Sequence, residues 1–159
     1  MLRSFQQIAS EPGSPLNREA ANARDTVTWL QAAQVKRNDS AQTVVSAGTR
    51  MDAAWDAVLL ASLAVACAEG WRATSDKGHH ATVPMGAAQA IGLGQGRLDE
   101  LDTLRDWRNR KYRAGQLSTE AEVAEAIGWV RPFLDEVAAW FARQHPVLMK
   151  QGLNAIAGS

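Results

Sequence analysis

The chain has 159 residues, with 17 basic and 17 acidic side chains, so its bulk charge advertises neither nucleic acid nor a membrane as partner. That length suits one domain whose core needs no staples. A single cysteine, Cys67, excludes an internal disulfide framework and offers no metal-ligand spacing; it reads as a small core residue.

Met1 to Gln7 lack the continuous apolar segment of a signal peptide. The longest nearly unbroken apolar run, Ala57 to Ala68, is about half the roughly 20 residues of a membrane helix. A soluble, cytoplasmic protein with no membrane partner is therefore expected. Residues 1–16, with Pro12, Gly13, Ser14 and Pro15, read as a tail plus a turn. One helical domain is expected over 17–145, with a C-terminal tail over 146–159.

A first helix is predicted from about Asn17 to Val35, with Ala20, Ala23, Val27 and Leu30 facing inward and a polar break over Lys36–Ser40. The second, near Val45 to Trp71, is hydrophobic all round in its middle and belongs at the centre, covered on several sides. Ala73 to Gly78 form a loop. A short third helix covers about His80 to Ile91, with Pro84 delaying or distorting its start. Gly92, Gly94 and Gly96 make a joint before a fourth helix, about Arg97 to Tyr112, which Gly115 closes. Thr119 and Glu122 form a capping box for the fifth. There Val123, Ile127, Val130, Leu134, Val137 and Phe141 repeat at helical spacing, and Pro132 predicts a kink or short break. No segment shows a convincing period of two. The expected fold is all-α, a bundle of about five helices.

The fourth helix carries a dense basic run: Arg105, Arg108, Arg110, Lys111 and Arg113 within nine positions. Its inward stripe runs from Leu98 and Leu101 into Arg105, Arg108 and Tyr112, so two guanidiniums lie where a core should be. Buried unpaired charge is costly, which leaves carboxylates, a phosphate-bearing ligand or an open groove as their company. Asp52 and Asp56, one turn apart near the start of the central helix, are the carboxylates expected to meet them. Trp107, inside the basic run, offers a face for a stacked base or a partner subunit. His79 and His80 are adjacent at the start of the third helix; side by side they rarely chelate one metal, and no metal or cofactor is expected.

The order of these parts resembles the HEPN family of nucleotide-binding helical bundles over roughly residues 45–143. The resemblance rests on Thr49-Arg50-Met51-Asp52-Ala53-Ala54-Trp55 opening the central helix and on Gly78-His79-His80 opening the third. Arg105-x-x-Arg108-Asn109 on the fourth, followed by the capped fifth helix, completes it. It implies a homodimer with the basic motif at the interface. It further implies RNA or a nucleotide as ligand and, in many members, metal-independent endoribonuclease activity in toxin–antitoxin or antiviral systems beside a nucleotidyltransferase-type partner. The family's motif is an arginine and a polar residue, then a histidine four to six positions on. Arg108 and Asn109 match its first half, while Tyr112, Arg113 and Ala114 occupy the histidine's positions.

Arg108, Asn109 and Tyr112 are thus the expected catalytic set, with Arg105, Arg110, Lys111, Arg113 and Trp107 binding phosphate or RNA. His79 or His80 is the replacement base if either approaches Arg108. Two further readings stand beside this one: a bundle that kept the fold but only binds RNA, nucleotide or protein, and a structural bundle whose basic run is an ion-pair lattice.

Overall fold

Helix α3 (Ala47–Ala68) organises the molecule, because its middle presents no polar face. Trp55, Ala57, Val58, Ala61, Ala64 and Val65 are all buried, pointing around the helix rather than along one stripe. Among the residues described, 1–74 and 78–152, α3 alone is long and apolar enough to cross a membrane by length and composition. Most of that apolar stretch is enclosed by the neighbouring elements.

Helices α2 (Ala23–Ser40), α4 (His79–Ala90), α5 (Gln95–Ala114) and α6 (Glu120–Gln144) pack around α3. These are the expected five helices, and the protein is all-α in character. Two short helices extend them: α1 (Phe5–Ala9), within the segment expected to be a tail, and α7 (Pro146–Gly152). Phe5 and Ile8 of α1 and Leu148 of α7 join the core. Helices of five and seven residues are too short to leave a clear periodic signal.

A small antiparallel ribbon also forms where no strand was expected. Strand β1 (Leu16–Arg18) pairs with β2 (Trp71–Ala73), Asn17 opposite Arg72. Three residues per strand are below what alternation can reveal. The polar stretch Lys36–Ser40 is helical rather than a break: Asn38 and Asp39 face out, Lys36 and Arg37 are half-buried against acidic partners, and Ser40 is buried with its hydroxyl donating to the Arg37 carbonyl. That helix starts at Ala23, after an Asn22 cap, and not at Asn17. Of the expected 73–78 loop, residues 75–77 lie outside those described, as do residues 153–159 of the C-terminal tail.

The caps fall where expected. Thr119 and Glu122 make a reciprocal capping box, and Gly115 ends α5 with φ of 62°. Pro132 neither ends nor breaks α6. The carbonyl it deprives of a donor belongs to Gly128, an exposed residue whose carbonyl water can reach. Pro84 likewise lies within α4, which begins at His79 with no delay.

Helix α1 docks through Phe5 against Gly86 of α4. A Cβ at Gly86 would overlap ring carbons Cδ1 and Cε1 of Phe5. Glycine-to-alanine in a helix normally stabilises by about 0.5–1 kcal/mol, so the sign here is decided by the ring. Gly86→Ala should destabilise the protein by about 1–3 kcal/mol in urea unfolding. In a Phe5→Ala background the same change should be neutral or stabilising; additive losses would show that Phe5 does not sit there.

Candidate functional site

The basic run begins where α5 leaves the core. Leu98, Leu101 and Leu104 are its buried residues, and none beyond Leu104 is buried. The inward stripe therefore does not continue to Tyr112, whose side chain is 71% exposed. Opposite the second half of α5 stands the N-terminal half of α3, which offers Asp52 and Asp56 in place of apolar side chains.

Asp52 is the hub. Its carboxylate accepts hydrogen bonds from Lys111 Nζ at 2.7 and 2.6 Å, and its Oδ1 lies 3.3 Å from Arg108 Nε. The Arg108 contact is an ion pair without hydrogen-bond alignment, so Nε is buried and unsatisfied. The guanidinium also donates from Nη1 to Asn109 Oδ1 at 3.1 Å, which fixes Asn109 as a partner of Arg108. Asp56, one turn on, pairs with Lys36 of α2 at 3.9 Å rather than with an arginine of the run. Arg105 takes Asp102 of its own helix at 3.4 Å and leaves Nη1 buried without a hydrogen bond.

The other cations face elsewhere. Arg110 donates to Glu122 Oε2 at 2.6 Å, and the same Glu122 closes the capping box of α6. Arg113 pairs with Asp106 in the open. Tyr112 lies over the cluster's rim, with the Arg108 guanidinium carbon 5.7 Å and Lys111 Nζ 5.2 Å from its ring centre. Trp107 is not a free stacking platform. Its ring lies 5.3 Å from that of Trp129 at 27°, filling the seam between α5 and α6.

The histidines separate in role. Their rings meet edge to face with centres 4.2 Å apart. His79 borders a cleft against α2 and β2, whereas His80 feels the charges of the basic cluster. Burial holds the His80 imidazole below its ordinary 6.5; His79, Arg108 and Arg105 push the same way, and Asp56 opposes them. Burial likewise raises the Asp56 carboxyl, against the pull of Lys36 and Arg108. A neutral imidazole, two guanidiniums, an ammonium and two carboxylates thus gather from three helices. Such a set can hold an anion and accept a proton. Among the described residues no cluster of His, Cys, Asp and Glu is arranged to hold a metal.

Lys36, Asp102 and Glu122 were not anticipated in this network. Asp102 was readable as the residue three before Arg105. Lys36 was hidden, because only the packing of α2 on α3 brings it to Asp56. Comparison with protein-family models, with curated proteins and with solved structures gives no match for this chain.

Two predictions follow from these contacts. Trp107→Ala should cost about 2 kcal/mol or more in chemical unfolding, because it empties the seam against Trp129; an unchanged midpoint would return Trp107 to the surface. Arg110 and the Thr119 cap hold the Glu122 carboxyl below its ordinary 4.5. Its folded value being the lower, its stabilisation is complete above about pH 4.5 and is lost as pH falls through the folded value. The stability gap between the parent and Glu122→Gln should accordingly be widest near neutrality and close in acid.

Proposed function

We propose that this protein is an RNA-directed bundle of the HEPN type. In this reading Arg108 anchors the scissile phosphate, and His80 supplies the base that the family motif places after the arginine. The observation that carries it is that the charge of Arg108 on α5 reaches His80 on α4. Burial first, then His79 and Arg108, lower the His80 pKa below its ordinary 6.5, which favours the neutral imidazole. A neutral histidine can take the proton of a ribose 2′-hydroxyl. The freed oxygen then attacks phosphorus, and the 5′-oxygen leaves, with the exposed Tyr112 hydroxyl available as proton donor. Arg108 and Lys111 stabilise the charge that develops on the phosphate oxygens. Asn109 holds the guanidinium, Arg105 adds positive potential, and Arg110 and Arg113 serve the fold and the rim. A homodimer would bring two such faces to one RNA, and a nucleotidyltransferase-type partner fits a role in toxin–antitoxin or antiviral defence.

One observation favours a second reading. Every cation of the run already has a carboxylate: Asp102, Asp52, Glu122 and Asp106 among them take all five. A purely structural ion-pair lattice accounts for that pairing without any ligand.

Structured and unstructured RNA incubated in EDTA with the parent, Arg108→Ala and His80→Ala separates the readings. The parent should cleave, and each variant should lose about a hundredfold or more. Because the His80 base must be neutral, the rate should rise with pH through a value below 6.5 and be flat above pH 7. Saturable binding without cleavage would reduce the protein to a binding module. Only weak binding that vanishes with salt would leave the lattice. Undiminished cleavage by Arg108→Ala would overturn the mechanism.

A further inference from the structure

A concavity lies between the first turns of α2, the end of α3 and strand β2, with His79 at its edge. It encloses about 680 Å³, within the size range of small-ligand sites. Leu63 and Cys67, one turn apart on α3, line it together with Trp71 of β2 and Trp29 of α2. Leu63, Cys67 and Trp29 are only half-buried. The open face of a tryptophan inside a concave, largely apolar surface is an unfilled contact.

Charge selects the occupant. Glu19 at the rim is neutralised by Arg72 at 3.0 Å. Asp25, one turn before Trp29 on the same face of α2, lines the cleft and has no ion-pair partner among the described residues. Asp25, exposed in the first turn of α2, thus leaves the cleft one carboxylate outside any ion pair of the described residues and beside aromatic faces, a combination that attracts an organic cation. The fold itself displays the affinity, since the Arg18 guanidinium carbon stands 4.0 Å from the centre of the Trp71 ring. We propose that this cleft binds a small organic cation with an apolar body, an aryl- or alkyl-ammonium, with its charge toward Asp25 and its body against Trp29, Leu63 and Cys67.

The probe is benzyltrimethylammonium, titrated calorimetrically into the full chain, with 3-phenylpropionate as an anion of similar size. Saturable binding of the cation and none of the anion is expected. Asp25→Asn and Trp29→Ala, each first shown by circular dichroism to be folded, should weaken binding roughly tenfold or more, the scale of one charge or one ring contact. Trp29→Phe, which keeps an aromatic face, should retain most of the affinity. No saturable heat with the parent, equal binding of the anion, or a folded Asp25→Asn as tight as the parent would each overturn the assignment.

Discussion

A helix whose residues are apolar on every side cannot rest at a surface. Exposing α3 along even one face would forfeit roughly 25 cal/mol for each Å² of apolar area left in water, so the chain must enclose it. That requirement sets the arrangement of the other elements. Helix α2 lies along one side, α4 and α6 cover others, and β2 and α5 complete the wrap. At the N-terminal half of α3 the enclosure gives way where Asp52 and Asp56 interrupt the apolar surface. The basic half of α5 is the complement to that interruption. The candidate site thus arises where the covering rule of the core gives way to charge.

Within that site the geometry distributes labour unevenly. Asp52 serves two cations at once, and a carboxylate shared between an ammonium and a guanidinium satisfies neither completely. Lys111 receives the short hydrogen bonds, while Arg108 has proximity without alignment. Of the two, Arg108 is the cation held less firmly and the one more open to a competing anion. It is also the residue electrostatically coupled to His80. Arg110, by contrast, is committed to Glu122 of α6, and Lys111 ties α5 to α3 through Asp52.

The long elements were legible because their apolar periodicity and their caps agree. The capping box at Thr119 and the αL glycine at Gly115 state where α6 starts and α5 stops. Polar composition misled at Lys36–Ser40, because Lys36 and Arg37 find acidic partners on other helices and Ser40 satisfies its hydroxyl within α2. At Pro132 the expected alternative of a break did not hold, because α6 runs through it. In the site, Asp52 opposite Arg108 followed from the need to pair inward guanidiniums, whereas Lys111 on Asp52, Lys36 on Asp56 and Asp102 on Arg105 did not. Trp107 did not follow, because its environment is set by Trp129 on another helix. The His80–Arg108 neighbourhood could be raised as an option but not read, since it depends on how α4 packs on α3 and α5.

The ribbon that joins Leu16–Arg18 to Trp71–Ala73 has a kinetic meaning. Its two strands flank the whole of α2 and α3, so bringing them together requires closing a long loop whose entropy falls only once those helices have docked. The ribbon is therefore a late-forming latch with few hydrogen bonds of its own. Its release would loosen Leu16–Arg18 and Trp71–Ala73 together, while Phe5 and Ile8 hold α1 in the core and the helices around α3 stay assembled. The aromatic floor of the α2–α3 cleft thus belongs to the part of the molecule that assembles last and opens first.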